Sequence, residues 1–297
     1  MKQPLISIVI VNYNYHNYIL DAINSALNQS YNEIEIIIVD HASTDGSHNI
    51  INNYIHSNKL KRKVNYIRLT ENCGGPSYPR NLGVEKSGGE YVICLDGDDM
   101  IHELFIEEGL WALKKQSADI LIPNIKHFGK CNNVENAYYY DKDLIYFENI
   151  FPYCCIFRKS AWEKCGKYKE DLLILEDWEF YLSAAKANLE IAQLEKPYFL
   201  YRKHGGSVWD QTFGDDNRIN EEIIGIRRYH PEYPINNKND IIDFLGLHYY
   251  YQNQQFRKFN EVLCRKVFQR IRGNEKSNRT ILRLIDKIIQ NESNLYN

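Results

Sequence analysis

The fold is decided at the start of the chain, where residues 5–40 read LISIVIVNYNYHNYILDAINSALNQSYNEIEIIIVD. The run Ile6–Val11 is mostly β-branched and apolar, as is typical of a strand that is buried on both faces of a parallel sheet. The run Ile34–Val39 has the same character. Between the two runs, apolar residues recur at helical spacing: Ile19, Ala22, Ile23, Ala26 and Leu27. The stretch therefore predicts a βαβ unit with a right-handed crossover.

The same alternation continues to about residue 100. A helix is predicted around Ile50–Ile55, a strand at Val64–Leu69, a helix after Pro79 and a strand at Tyr91–Leu95. Strands that alternate with helices predict an α/β fold with a doubly wound, mostly parallel sheet. In such sheets, ligands bind beyond the carboxyl ends of the strands.

The remainder of the chain has a mixed pattern and then a basic one. Helices are predicted near Ile106–Lys115 and Trp178–Ala187. Residues 256–290 are rich in Lys and Arg, and their apolar residues recur at helical spacing. We therefore expect a C-terminal helical extension with basic faces, which either packs on the rest of the protein or contacts an anionic membrane surface.

Composition excludes several classes of protein. The chain has 297 residues, 44% of them hydrophobic, and a net charge of -3, which provides no general attraction to nucleic acid. Seven cysteines without a C-x-x-C pair favour a reduced, cytoplasmic compartment. The first apolar run lacks a cleavage site, so we expect a strand there rather than a signal peptide, and no apolar stretch is long enough to span a membrane.

The sharpest local signal is Leu95–Asp99, which reads LDGDD directly after a predicted strand. Neighbouring carboxylates raise one another's pKa values, and a bound cation relieves that repulsion. Mg²⁺ and Mn²⁺ favour oxygen ligands and take one or two carboxylates together with substrate phosphates. The alternative interpretation is an acidic turn that caps the following helix.

Two nucleotide-binding motifs are absent from the sequence. The first predicted strand is followed by Asn12–Tyr15 instead of the G-x-G-x-x-G of dinucleotide-binding units. There is also no G-x-x-x-x-G-K-[ST] loop. A nicotinamide or flavin enzyme and a P-loop nucleotidase are therefore both disfavoured.

Seven motifs together resemble family 2 inverting glycosyltransferases of the A-type fold. Over residues 5–208 they occur in the order and approximate spacing of that family: ISIVIVNYN, LNQSY, EIIIVDHASTDGS, ENCGGPSYPRNLG, GEYVICLDGDD, LEDWEF and YRKHGGS. The resemblance implies that residues 1–100 bind a nucleotide sugar and that residues 101–208 supply the acceptor site and catalytic base. Residues 209–297 fall outside it.

The resemblance implies a set of donor-binding residues. Asp40 matches the carboxylate that accepts a hydrogen bond from the nucleobase, usually uracil, and Tyr13 matches the aromatic residue against the base. Val11 would contribute backbone contacts, and Arg80 would lie near the base or diphosphate. Each also has an ordinary structural interpretation: a turn cap for Asp40, core positions for Tyr13 and Val11, and a solvated helix start for Arg80.

The resemblance also implies a metal site for Mn²⁺ or Mg²⁺. Asp96 would lie near the ribose and Asp98 on the metal, and Asp99 could exchange roles with Asp98. His204 matches a histidine that reaches the metal or diphosphate in some relatives. A structural hydrogen bond is the alternative for this histidine.

The catalytic base implied by the resemblance is Asp177, which would take the proton of the acceptor hydroxyl. Glu176 and Trp178 are expected at the acceptor site, and Ala137–Tyr140 could also stack on sugars. Acidic residues are also favoured in the first turn of a helix by the helix dipole, so a structural role for Asp177 stays open. One departure is His41, because many relatives have a second carboxylate there, which weakens the inference of UDP.

The expected function is sugar transfer from a nucleotide diphosphate to a saccharide or lipid-linked acceptor, in bacterial surface polysaccharide or glycoconjugate synthesis. The expected location is the cytoplasm, with a peripheral membrane contact of the basic extension as one option. No nucleic-acid partner is expected, and an oligomer is compatible with the sequence. Two other functions stay open: a sugar-nucleotide hydrolase or nucleotidyltransferase, and a non-catalytic sugar-nucleotide-binding protein.

Overall fold

A computed structural model of the protein describes residues 3–57, 60, 62–135, 145, 149, 151–204 and 216–231. The chain divides into two compact units. One comprises residues 1–140 and 151–210, and the other comprises residues 141–150 and 211–297. The first unit contains the whole of the described sheet.

The described elements alternate along the chain. The strands are β1 (Ile6–Asn12), β2 (Ile34–Asp40), β3 (Lys63–Arg68), β4 (Tyr91–Asp96), β5 (Met100–Ile101), β6 (Ile120–Gly129), β7 (Val134–Glu135), β8 (Ile156–Arg158) and β9 (Ile191–Lys203). The helices are α1 (Ile19–Leu27), α2 (Ser47–Ser57), α3 (Ser77–Lys86), α4 (Phe105–Gln116), α5 (Lys159–Lys164), α6 (Glu176–Lys186) and α7 (Asp216–Tyr229).

The first half of the sheet is the predicted doubly wound, parallel part. β3, β2, β1 and β4 lie side by side in that order, and all three pairings are parallel. Every residue of β1 and β2 is buried, as the continuous apolar runs predict for strands that are covered on both faces. The α/β prediction is confirmed, and the carboxyl ends of these strands meet at one edge.

The second half of the sheet is mixed. β8 pairs antiparallel with β4 and β6, and β9 runs parallel to β6. The short strand β5 pairs antiparallel with β9, with Met100 opposite Leu200. Because β5 begins directly after the LDGDD turn, this pairing brings the carboxyl end of β9 beside that turn.

Helix α3 packs very closely on the central strand. A Cβ at Gly83 would lie 2.2 Å from Val9 Cγ1, so only glycine allows this approach. The sequence predicted that this helix starts after Pro79, but it begins at Ser77. The first turn tolerates a proline because the N–H groups there have no partner within the helix.

Helix α6 begins at Glu176, two residues before its predicted start. Glu176 and Asp177 therefore occupy its first turn. The residue before the helix, Leu175, has a φ of 61°, in the left-handed region that non-glycine residues rarely adopt.

Helix α7 is the described helix of the second unit. The predicted basic helices of residues 256–290 and the aromatic run Ala137–Tyr140 lie outside the described residues. Of the helices in the described ranges, none combines the length and the apolar character that crossing a bilayer requires.

Candidate active site

The turn after β4 holds three carboxylates in three different directions. Gly97 N–H donates to the carbonyl of Val11 at 2.8 Å, and Asp99 N–H donates to the carbonyl of Asp96 at 3.1 Å. A Cβ at Gly97 would lie 2.9 Å from Asn12 Oδ1 and 3.2 Å from Val11 O, which explains the glycine. The turn is thereby fixed against the end of β1.

Asp98 pairs with His204, the two residues that the resemblance places at the metal or diphosphate. His204 Nε2 lies 3.0 Å from Asp98 Oδ2. The Asp98 side chain is 9% exposed, and burial, together with the charge of Asp96, raises its pKa to about 6 in spite of His204. The rings of Tyr18 and Tyr15 lie 5.1 and 6.2 Å from the His204 ring and enclose it.

Asp99 is engaged within the protein through both oxygens. Oδ2 accepts a hydrogen bond from Tyr153 OH at 2.7 Å, and Oδ1 accepts one from the Arg202 backbone N–H at 2.7 Å. Burial and the neighbouring charge of Asp98 raise the pKa of Asp99. These contacts favour Asp98 over Asp99 as a metal ligand.

The donor set of this site fits Mn²⁺ or Mg²⁺. Asp98 is a buried carboxylate whose ionised form is disfavoured by its surroundings, and a divalent cation would reverse that. Within the described ranges, no group of three or more His, Cys, Asp or Glu side chains is arranged around a common point. Asp98 and His204 would hold such an ion, and phosphate oxygens of a substrate would complete its coordination shell.

Arg80 lies between two carboxylates and is 2% exposed. Its Nη2 donates to Asp96 Oδ1 at 2.9 Å and to Asp96 Oδ2 at 3.1 Å, and its Nη1 donates to Glu176 Oε1. Burial opposes the charged form, but Asp96 and Glu176 outweigh it and hold the pKa of Arg80 above its usual range. The guanidinium is therefore bound by Asp96 and Glu176 in this conformation and exposes little surface to a diphosphate.

The first turn of α6 presents Glu176 and Asp177 differently. Glu176 is 5% exposed, and burial raises its pKa to about 7 although Arg80 opposes this. Asp177 is half-buried, and its Oδ1 accepts the Trp178 N–H at 2.7 Å. Asp177 thus directly follows the residue at the end of the Asp96–Arg80–Glu176 chain of contacts.

Trp178 departs from the expectation of an acceptor-stacking residue. Trp178 is 1% exposed and is one of the buried hydrophobic residues of α6. Phe180, Tyr181 and Leu182 of the same helix are also at most 1% exposed, so this part of α6 is covered by the protein. A sugar has no access to its ring in this conformation.

Asp40 ends β2 and lies fully inside the protein. Its Oδ1 accepts hydrogen bonds from Asn12 Nδ2 at 3.0 Å and from Ser43 Oγ, and its Oδ2 lies 3.4 Å from Tyr66 OH. The residue is 0% exposed. Asp40 therefore organises the loops above it, and a direct contact with a base would require the carboxylate to become accessible.

The loops that follow β1 and β2 interlock through side chains. Asn14 N–H donates to Ser43 Oγ at 3.0 Å, and Asn14 Oδ1 accepts the Thr44 N–H at 2.8 Å. His16 N–H donates to Asp45 Oδ2 at 2.8 Å. Asn14 has a φ of 58°, which asparagine tolerates better than most residues, and this conformation makes the exchange of bonds feasible.

Tyr13 is the first residue of the loop after β1, and His41 is the first residue of the loop after β2. Tyr13 is 41% exposed, whereas Val11 is buried in β1. His41 is buried, and its Nε2 accepts the Cys73 N–H at 2.8 Å, so the neutral ring carries its proton on Nδ1. Burial lowers the pKa of His41 against the opposing charge of Asp40, which favours this neutral form.

Three residues at the site were not singled out from the sequence. Tyr153 donates to Asp99, accepts the Asp96 N–H at 3.0 Å and lies 4.7 Å beneath the Arg80 guanidinium. Tyr15 lies against the acidic turn, where burial and the charge of Asp98 raise its pKa. Arg202 contacts the backbone of the turn. Arg202 lies inside a quoted motif and Tyr15 directly follows one, whereas Tyr153 lies in none of them.

Comparison with known proteins finds relatives among glycosyltransferases. An uncharacterized glycosyltransferase of Haemophilus influenzae is 43% identical over 110 residues, which are 37% of this chain and 42% of that protein. The poly(ribitol-phosphate) beta-N-acetylglucosaminyltransferase TarS of Staphylococcus aureus is 33% identical over 122 residues, which are 40% of this chain and 21% of TarS. The chain thus spans less than half the length of these relatives.

Solved structures show the same fold. The crystal structure of S. aureus TarS 1-349 in complex with UDP-GlcNAc matches with a TM-score of 0.65 at 22% identity, over 86% of this chain and 74% of that one. A mannosyltransferase from Pyrobaculum calidifontis, in complex with GDP-Man and Mn²⁺, matches with a TM-score of 0.59 at 13% identity, over 84% and 70% of the two chains. Residues 7–165, more than half of the chain, match the family described as glycosyl transferase family 2, and the chain belongs to this family.

Proposed function

We propose that this protein transfers a sugar from a nucleotide diphosphate, expected to be UDP, to an acceptor hydroxyl with inversion at the transferred carbon. One observation carries the proposal. Arg80 joins Asp96, on the donor side, to Glu176, the neighbour of the candidate base Asp177. Donor-binding and proton-accepting groups therefore share one buried support, as a two-substrate transfer requires.

The donor is proposed to bind at the carboxyl ends of β1, β2 and β4. Tyr13 is exposed enough to stack on a base, and the half-exposed Asp96 can reach a ribose hydroxyl. Family membership and the likeness to the UDP-GlcNAc complex of TarS support a UDP-sugar. Residues 1–100 would then form the donor half, and residues 101–208 the acceptor half.

Asp98 and His204 are proposed to hold a divalent cation against the diphosphate. Mn²⁺ or Mg²⁺ would neutralise the negative charge that grows on the leaving diphosphate. The likeness in fold to a mannosyltransferase bound to Mn²⁺ supports this choice of ion. The enclosure of the His204 ring by Tyr15 and Tyr18 would keep this side chain directed at Asp98.

Asp177 is proposed to act as the general base. Its carboxylate takes the proton from the acceptor hydroxyl while the acceptor oxygen bonds to the anomeric carbon. The bond from that carbon to the diphosphate breaks, and its electron pair leaves with the nucleotide. Attack on the face opposite the leaving group inverts the configuration.

The acceptor is proposed to be a saccharide or lipid-linked saccharide in bacterial surface polysaccharide or glycoconjugate synthesis. The name of TarS, which includes a poly(ribitol-phosphate), supports a cell-surface polymer. The identity of the transferred sugar would be decided by the donor test below.

The proposal is tested by thermal unfolding with a panel of UDP-, GDP- and CDP-sugars, each with and without Mn²⁺. A ligand that binds the folded state raises the unfolding midpoint. We expect one UDP-sugar to raise it only with Mn²⁺, and Asp98→Asn to remove that response. No shift with any nucleotide sugar would contradict the proposal. Free sugar formed in place of a glycoside when an acceptor is supplied would indicate a hydrolase.

A further inference from the structure

Arg202, at the end of β9, makes two hydrogen bonds with the acidic turn that follows β4. Its side-chain Nε–H donates to the carbonyl of Asp98 at 2.7 Å, and its backbone N–H donates to Asp99 Oδ1 at 2.7 Å. The two hydrogen bonds hold consecutive residues of the turn from the end of β9. One residue thus fixes both the main chain at Asp98 and the side chain next to it.

The guanidinium of Arg202 is itself held from three sides. It lies 4.6 Å from the centre of the Tyr18 ring and 4.4 Å from the centre of the Phe128 ring. Its Nη2 donates to Asp21 Oδ2, on α1, at 2.7 Å. A planar cation that stacks on two aromatic rings, and whose Nε and Nη2 both donate hydrogen bonds, has little freedom to rotate. The direction of the Nε–H is therefore fixed before any ligand binds.

The contact with Asp98 bears directly on the proposed metal pair. Fixing the carbonyl of Asp98 restricts the rotation of its backbone, and hence the direction in which its carboxylate points. The partner of that carboxylate, His204, lies two residues after Arg202 on the same segment. Both members of the pair are thereby positioned from the end of β9.

We propose that Arg202 is a positioning residue for the divalent-cation site, which holds the backbone of Asp98 so that Asp98 and His204 face the same ion. The proposal rests on the proposed metal role of that pair. Lysine is a poor replacement, because an ammonium has no planar face to stack and all its N–H donors lie on one nitrogen instead of at the separate positions of Nε and Nη2.

The test is Mn²⁺ affinity, measured from the paramagnetic resonance signal of free Mn²⁺ with and without UDP. Loss of a group that orients a metal ligand typically weakens metal binding by about 10- to 100-fold. We expect Arg202→Lys to show a loss of about that size and Phe128→Leu, which removes one face of the stack, to show a smaller one. UDP affinity in the absence of metal should be unchanged in both variants.

Arg158→Lys is the matched control. Arg158 is also an arginine at a strand end, stacked at 4.6 Å on Tyr91 and paired with Glu90 at 2.7 Å, but it lies at the other end of β4. We expect its Mn²⁺ affinity to equal that of the parent protein. If Arg202→Lys is too unstable to measure, Phe128→Leu decides the question.

Two outcomes separate this inference from the proposed function. If the parent protein binds Mn²⁺ and both Arg202→Lys and Phe128→Leu bind it equally well while folded, the positioning role is wrong and the transferase proposal stands. If the parent protein binds no Mn²⁺ even with UDP present, the proposed metal site is wrong, and the inference that rests on it falls with it.

Discussion

Arg80 and Asp96 form a two-point contact in which one nitrogen, Nη2, lies 2.9 Å from Oδ1 and 3.1 Å from Oδ2 of the carboxylate. The same guanidinium binds Glu176, 96 positions later in the chain. This contact connects the end of β4 to the start of α6, and the first prediction follows from it.

Replacing Arg80 should destabilise the protein strongly. At pH 8, where Glu176 is ionised, Arg80→Met leaves this carboxylate buried without its cation, and breaking a buried ion pair by removing one partner costs about 3–5 kcal/mol. Urea unfolding measures the loss. Arg158→Met, which removes a partly exposed pair with Glu90, should cost about 1 kcal/mol or less. Equal losses in the two variants would contradict the buried role of Arg80.

Glu176 should make stability depend on pH. Burial raises its pKa from the ordinary value of 4.5 to about 7, so between these values the folded protein holds a proton that the unfolded chain releases. The free energy of unfolding should therefore fall as pH rises through this window. The glutamine of Glu176→Gln does not titrate. Over the same pH window, the free energy of unfolding of this variant should therefore fall by about 1–3 kcal/mol less than that of the parent protein. Parallel stability curves for the two proteins would show that this pKa is not raised.

Loss of the candidate base should stop transfer without stopping donor binding. A positioned base contributes roughly 10²–10⁴-fold to rate, so Asp177→Asn should lower kcat by about that factor. UDP affinity with Mn²⁺, measured by calorimetry, should stay within about twofold, since Asp177 is not placed on the donor. The exposed Glu163→Gln of α5 serves as the control. Full activity in Asp177→Asn would exclude this residue as the base.

Asp98 and Asp99 should separate into a functional and a structural carboxylate. Asp98→Asn, or a chelator added to the parent protein, should abolish transfer and weaken donor binding together. Asp99→Asn should mainly lower the unfolding midpoint, because its oxygens bind Tyr153 and Arg202. Donor titrations and thermal unfolding of both variants check this. Transfer that persists after chelation would rule out the metal.

The packing of α3 on β1 should depend on one missing methyl group. Gly83→Ala places a Cβ 2.2 Å from Val9 Cγ1, and overpacking of this kind costs about 1–3 kcal/mol. Val9→Ala removes the atom in the way, so the double variant should recover part of the loss caused by Gly83→Ala. A double-mutant cycle of unfolding free energies measures the coupling. Additive effects would mean that the helix moves instead.

The parallel half of the sheet could be predicted from sequence because β1, β2 and β4 are continuous apolar runs. Between them, apolar residues recur at the helical spacing that predicts α1 and α2. The mixed half could not. β9 has 13 residues of which several are exposed, so neither alternation nor a continuous apolar run marks it. Its pairing with β6 and β5 depends on contacts between distant parts of the chain, for which a single sequence has no signal.

The same division applies to the site. The residue types at Asp96, Asp98 and Asp177 could be recognised from motifs, and the nearness of Asp98 to His204 was expected from the resemblance. The burial of Arg80 and Trp178 could not be read from sequence, because it depends on where α3 and α6 dock. Tyr153 reaches the acidic turn across 54 positions, from a segment with no motif of its own.

The interlocked loops after β1 and β2 have a consequence for engineering this protein. Asn14 and His16 of the first loop bind Ser43, Thr44 and Asp45 of the second, so neither loop keeps its shape without the other. A chimera that takes only one of these loops from a relative would lose the hydrogen bonds that join it to the other loop. Altered nucleotide preference should therefore be sought by transplanting both segments at once.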